Sequence, residues 1–146
     1  MKRRTLLKSL PLLVVLPLVP ACSRQVIGEA ASPITPLNKP HEAWRELVSP
    51  RAYEILFEEA TERPESSNLV YEEREGTFIC AACYLPLFES MHKYESWTGW
   101  PSFTQPISGH IATKRDFKMI WPRTEYHCVR CGGHQGHVFS DGPPPR

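Results

Sequence analysis

Four of the five cysteines fall into two C-x-x-C pairs, Cys80 with Cys83 and Cys128 with Cys131. Two residues between thiolates let both sulfurs face one ion from a tight turn, and two such turns complete a tetrahedron. Cys131-Gly132-Gly133 supplies the small residues that such a turn tolerates. Filled by four thiolates, a zinc ion has no open position for a substrate, so this reading makes the metal structural. Two local disulfides, crossed disulfides or a thioredoxin-like redox pair are the competing uses of the same residues. His134 and His137 follow the second pair as C-x-x-C-x-x-H-x-x-H. They are either ligands of a mixed Cys/His site or, if the thiolates suffice, two free imidazoles for acid–base work. Gly99-Trp100-Pro101-Ser102-Phe103 is the other dense cluster, an aromatic turn or part of a site.

The elements that must position these groups come in two styles. Trp44, Leu47 and Val48 recur at i, i+3 and i+4 and predict a short amphipathic helix. Ser49-Pro50 reads as an N-cap with proline at the first helical position, followed by Tyr53, Leu56, Phe57 and Ala60 at helical spacing, with Pro64 closing the run. Beyond residue 70 the pattern changes to short strands broken by Gly, Pro and Ser: Gly76–Cys80, Leu85–Phe88 and Val138–Phe139. A domain of this size with short strands needs a staple.

The chain has 146 residues, 17 Lys+Arg, 16 Asp+Glu and 41% hydrophobic residues, enough for one compact domain and unlike a disordered or multi-span chain. Its start is an address label. Lys2, Arg3, Arg4 and Lys8 precede an uncharged run from Leu10 to Ala21, which is too short and too rich in proline for a spanning helix. Leu18-Val19-Pro20-Ala21-Cys22 resembles a bacterial lipobox, which makes Cys22 the lipidated first residue of a mature chain, and Arg3-Arg4 with Leu6-Leu7-Lys8 also resembles a twin-arginine export signal. Residues 1–21 are therefore read as an export signal, 22–40 as a flexible linker and 41–146 as the domain of an exported, membrane-anchored lipoprotein of the periplasm or cell envelope. Without those four basic residues, 13 basic face 16 acidic, a net charge of −3 that excludes a nucleic-acid partner.

Three stretches taken together resemble the B-type peptide-methionine (R)-S-oxide reductases: Gly76–Cys83 with Leu87-Phe88, Gly99–Phe103, and Cys128–Phe139 running into Asp141-Gly142-Pro143. Trp44, Leu47, Tyr53 and Thr61–Pro64 fit the family's N-terminal segment, so the similarity spans nearly all of residues 41–146. It implies a mainly β, barrel-like fold of antiparallel sheets with short N-terminal helices, stapled by zinc on Cys80, Cys83, Cys128 and Cys131. It implies that Trp100, with Phe103 in the substrate-binding set, receives the methyl group of an oxidised methionine, and that His134 and His137 help protonate the departing oxygen. The reaction repairs proteins under oxidative stress, with a thioredoxin-like reductant restoring the attacking thiolate. In the family that thiolate lies on a strand beyond the D-G-P turn, and a second cysteine, where there is one, precedes the G-W-P motif, here at Thr98. The expectation is a domain lacking its C-terminal strand and nucleophile. Its rival is a zinc-stapled module that binds oxidised methionine peptides without reducing them, and a weaker third is a zinc hydrolase using His134 or His137.

Overall fold

A computed structural model describes residues 33–144 of the chain. The first element is a single 3₁₀ turn at His41–Trp44, followed by helix α1 over Pro50–Phe57. The Ser49 side chain accepts the Ala52 N–H at 3.2 Å and Pro50 occupies the first turn, as the sequence requires of a helix start. Two expectations need correction. Trp44 is buried but Leu47 is exposed, and the 3₁₀ turn does not extend into the amphipathic helix that their spacing suggests. Nor does α1 run to Pro64. Glu59 adopts a left-handed backbone (φ 55°) and the Ala60 N–H returns to the Glu54 carbonyl at 3.0 Å, so the chain turns away within three residues of Phe57.

Seven short strands follow: β1 (Thr77–Ile79), β2 (Pro86–Glu89), β3 (Lys93–Tyr94), β4 (Ser102–Phe103), β5 (Ile111–Asp116), β6 (Arg123–Cys128) and β7 (His134–Val138). They pair antiparallel as β1–β2, β3–β4 and the three-stranded β5–β6–β7. The domain is thus mainly β with short N-terminal helices, but the barrel-like expectation is not met: among the described residues the strands form three small sheets and no closed barrel. Strands of two to six residues interrupted by Gly and Pro offer too little continuous edge to close on themselves.

The core gathers around the cysteines. Trp44, Tyr53, Leu56 and Phe57 from the N-terminal elements meet Leu85, Leu87 and Phe88 from β2 and its turn, with Cys80, Cys128 and Cys131 inside the same cluster. Trp44 stacks on Phe57 at 5.4 Å between ring centroids. Phe88 stacks on Phe103 at 4.3 Å and meets Tyr126 edge-on at 5.9 Å, which ties β2, β4 and β6 together. Residues 33–40, read from sequence as part of the linker, are joined to this domain: Ile34 packs on the core and the Leu37 N–H donates to the Arg130 carbonyl at 2.7 Å. Cys22, the lipobox and the rest of the export signal lie outside the described residues.

Candidate functional site

Both cysteine pairs sit in turns of one design. Cys80 closes β1, its N–H bonded to the Leu85 carbonyl at 2.8 Å, while the Tyr84 N–H returns to the Cys80 carbonyl at 2.9 Å. Cys128 closes β6 with the same two bonds, from its N–H to Gly133 at 3.0 Å and from the Gly132 N–H to its carbonyl at 2.8 Å. The residue after each second-cysteine turn needs a left-handed backbone, φ 59° at Tyr84 and 76° at Gly132. Each turn aims two sulfurs at the other turn. All four Sγ atoms lie within 4.8 Å of one another, with Cys80 to Cys131 and Cys83 to Cys128 at 3.5 Å.

Those distances decide among the readings left open by the sequence. A disulfide needs about 2.05 Å between sulfurs, and these cysteines are free. A tetrahedral ion with metal–sulfur bonds of about 2.3 Å sets its ligand atoms about 3.8 Å apart, which this cluster fits. The Gly133 N–H, at 3.4 Å from Cys131 Sγ, and the Gln135 side-chain amide, at 3.6 Å from Cys80 Sγ, supply the outer donors that thiolates favour. Without an ion, the neighbouring Cys128 and burial push the Cys80 thiol up to about 12. A divalent cation at the centre offsets that shift. The four cysteines could hold such an ion, and neither His134 nor His137 belongs to the cluster, so the mixed Cys/His site and a hydrolase built on it are set aside.

The two histidines are instead brought together on β7, with ring centroids 5.2 Å apart. Each is faced by a carboxylate from another strand of the same sheet. His137 Nε2 is 2.8 Å from Asp116 Oδ2 on β5, and buried His134 places Nδ1 3.1 Å from Oε1 of buried Glu125 on β6. Asp116 also accepts the Lys118 N–H at 2.9 Å and the Arg123 guanidinium at 2.8 Å, and these bonds with His137 hold its carboxyl well below the usual carboxylate range. An ionised carboxylate can only accept, so the proton of the shared bond belongs to His137 Nε2. Lys114, across the strand pair from Glu125, lies 3.4 Å from it and is bonded to Glu59 at 2.7 Å. Asp116, Glu125 and Arg123 were not singled out in the sequence. The signal open to a reader was their place in short alternating strands, where an inward carboxylate needs a partner, but the partner strand is not readable from the alternation.

The aromatic motif is positioned by a different contact. Gly99 (φ 86°) brings its backbone against Pro64 and Glu65, where an added Cβ would stand 2.7 Å from Pro64 Cβ. Its carbonyl accepts the Glu65 N–H at 2.7 Å, and the Trp100 indole N–H donates to the Glu62 carbonyl at 2.8 Å. Trp100 is thus fixed at its polar edge and half-exposed on its ring. Phe103 packs between Phe88 and Phe78 on the core. Thr98 bonds through its hydroxyl to Ser96 at 2.7 Å.

These features define a small antiparallel β domain with a four-cysteine cluster that could hold a metal ion and two histidines that each lie close to a carboxylate. The SelR domain family matches residues 48–146. The chain is 49% identical over 108 residues to a peptide methionine sulfoxide reductase MsrB of Bradyrhizobium diazoefficiens, covering 73% of this chain and 78% of that one. It is 46% identical over 110 residues to the enzyme of the same name from Methanosarcina barkeri (75% and 78% covered), and 44% over 110 residues to that of Leptospira interrogans (75% and 84%). The chain belongs to the SelR family of B-type methionine sulfoxide reductases, oxidoreductases that act on sulfur.

Proposed function

We propose that this protein takes part in returning methionine-R-sulfoxide in oxidised proteins to methionine, and that the carboxylate-backed histidine pair on β7 is the observation that carries this reading. The chemistry has two halves. A thiolate attacks the sulfoxide sulfur, which gains two electrons as its bond to oxygen breaks, while the attacking sulfur leaves as a sulfenic acid; a second thiol then forms a disulfide with loss of water, and a dithiol donor of the thioredoxin kind reduces it. The oxygen cannot depart as a bare oxide, so protons must reach it. His137, oriented by its bond to ionised Asp116, and His134 beside Glu125 supply them. Trp100, anchored at its indole N–H, offers an apolar face for the S-methyl group.

The metal is read as zinc, held by Cys80, Cys83, Cys128 and Cys131, where its part is to hold the two turns together. The same commitment removes these four sulfurs from nucleophilic work, because borrowing one would dismantle the clasp. The alternative reading is a domain that binds oxidised methionine without reducing it. The two are separated by assaying the 146-residue chain with a thiol reductant on both sulfoxide epimers, beside a version extended by a family-like C-terminal strand bearing a cysteine. The expected result is R-selective turnover in the extended chain alone. Epimer-selective turnover in the 146-residue chain would show that the thiolate account is wrong, and an inactive extended chain with intact metal would sink the reductase assignment.

We also propose export and lipidation at Cys22, supported by the basic start, the short apolar run and Ala21 before the cysteine. Labelled fatty acid should enter the wild type and not Cys22→Ala; absence of label from both overturns the lipoprotein reading.

A further inference from the structure

The β5–β6 connection reads Phe117-Lys118-Met119-Ile120-Trp121-Pro122. Hairpin tips are ordinarily polar because nothing covers them, yet here Phe117 is 72% exposed, Met119 60%, Ile120 94% and Trp121 82%. One exposed apolar side chain is unremarkable on any protein. Four within five residues at one tip form a contiguous patch that water penalises and that the domain itself does not use.

The charges around the tip have one sign to spare. From Lys114 to Arg123 there are four basic residues, Lys114, Arg115, Lys118 and Arg123, against the single acid Asp116. That acid is buried and taken up by Arg123, the Lys118 N–H and His137. Glu59, just beyond α1, pairs with Lys114 and Lys118, while Arg115 is exposed with no ion pair among the described residues. The concavity beside the tip is lined almost entirely by charged residues, Glu59, Lys114, Arg115, Asp116, Lys118 and Glu125 around Phe117, so it offers no apolar groove for the anchor of a folded partner. A soft apolar medium needs no matching shape. Trp with aliphatic neighbours and Lys/Arg flanks is the composition that suits the boundary between headgroups and acyl chains, where the indole N–H stays wet and the cations reach phosphate. No helix among the described residues is long and apolar enough to cross a membrane, so the contact would lie on the bilayer and not span it.

We propose that the Phe117–Pro122 tip is a membrane-interface loop that docks the domain on an anionic phospholipid surface. Phe117, Met119, Ile120 and Trp121 enter the headgroup–acyl boundary, and Arg115 and Lys118 meet lipid phosphates, Lys118 exchanging Glu59 for lipid. This contact is independent of the acyl chains proposed for Cys22 and of the reductase reading. Because Asp116 directly precedes the tip, docking would hold the Asp116–His137 end of the sheet close to the membrane surface.

The test uses the full chain and vesicles of phosphatidylglycerol with brominated acyl chains, which quench tryptophan only on contact. Quenching is expected in the wild type, with most of it lost in Trp121→Phe. The double variant Ile120→Ser with Trp121→Ser should partition onto these vesicles roughly tenfold less, a change of about 1.4 kcal/mol; both side chains are exposed, so metal content and the circular dichroism spectrum should stay as in the wild type. Quenching that survives Trp121→Phe would place the contact on another segment and overturn the proposal. Equal quenching by phosphatidylcholine vesicles would overturn the role given to the cations. Self-association in lipid-free solution that Trp121→Ser abolishes, or burial of Trp121 by an oxidised-methionine peptide, would assign the tip to a second copy or to a client instead.

Discussion

His137 depends on a residue twenty-one positions away for its proton inventory. Asp116 accepts from Nε2, and its own charge is fixed by a backbone N–H and an arginine. Asp116→Asn keeps the size but removes the charge that orients the imidazole, and the amide can rotate to donate where the carboxylate accepted. In a chain that turns over the sulfoxide, this should lower turnover by about 10–100-fold, by analogy with the loss of partners that orient metal-bound histidines, with metal content unchanged. The same carboxylate carries a pH signature. Its folded-state value is depressed, so the stability it contributes is present above the unfolded carboxylate's value and is lost as pH falls toward the folded one. Wild type and Asp116→Asn should therefore differ most above about pH 5, with the difference shrinking only as pH falls below about 4 toward the depressed folded-state value. A difference in melting temperature that widens in acid would refute the charge assignment.

At the scale of elements, glycines decide where the site groups stand. Gly136 lies between the two histidines of β7 with φ 152°, and a Cβ there would stand 2.8 Å from the Tyr126 hydroxyl and 2.9 Å from its ring carbon. Tyr126 is half-buried with its ring edge-on to Phe88, and burial raises its phenol to about 12, so the ring cannot swing aside cheaply. Gly136→Ala should cost about 1–3 kcal/mol, read from denaturant melts, and should impair turnover beyond its effect on stability because β7 carries both imidazoles. Gly99→Ala meets Pro64 instead. It should loosen the Trp100 indole from Glu62, raising KM for a sulfoxide peptide more than it lowers kcat, provided Trp100 acts by binding. Ser49→Ala removes the cap of α1 and should cost about 1 kcal/mol with no effect on KM.

For the whole molecule, the proposed zinc on the four cysteines would outweigh any single contact. Structural zinc in small peptides contributes apparent binding free energies of about 10–16 kcal/mol, as large as the whole stability of a typical domain at about 5–15 kcal/mol. The cysteines also lie inside the hydrophobic cluster that joins α1 to the sheets. Cys80→Ser or Cys131→Ser should consequently lose metal and cooperative unfolding together, and a strong chelator should unfold the wild type. Cobalt substitution should give thiolate-to-metal charge-transfer bands of an all-sulfur tetrahedral site. Stoichiometric metal retained in all four single Cys→Ser variants would show that the clasp is not built from these residues.

Much of this protein was legible before any fold was known, for a local reason. A C-x-x-C pair, a Ser-Pro helix start and a glycine turn act over three to five residues, so Cys80, Cys83, Cys128, Cys131 and the start of α1 follow from spacing alone. The order of short motifs likewise indicated the SelR family and the pairing of His134 with His137. Decisions that need distant residues were not legible. That the sulfurs meet at 3.5 Å across the two turns, and so form one cluster instead of two disulfides, is set by packing between β1–β2 and β6–β7. The carboxylates Asp116 and Glu125 reach the histidines through sheet register, which sequence alternation leaves undetermined by any even shift. Helix length was misjudged because Glu59 turns left-handed where its carboxylate meets Lys114 and Lys118, a tertiary contact that overrides the periodicity through Ala60. Local chemistry is written in spacing, whereas the pairing of charges across strands exists only once the chain has closed on itself.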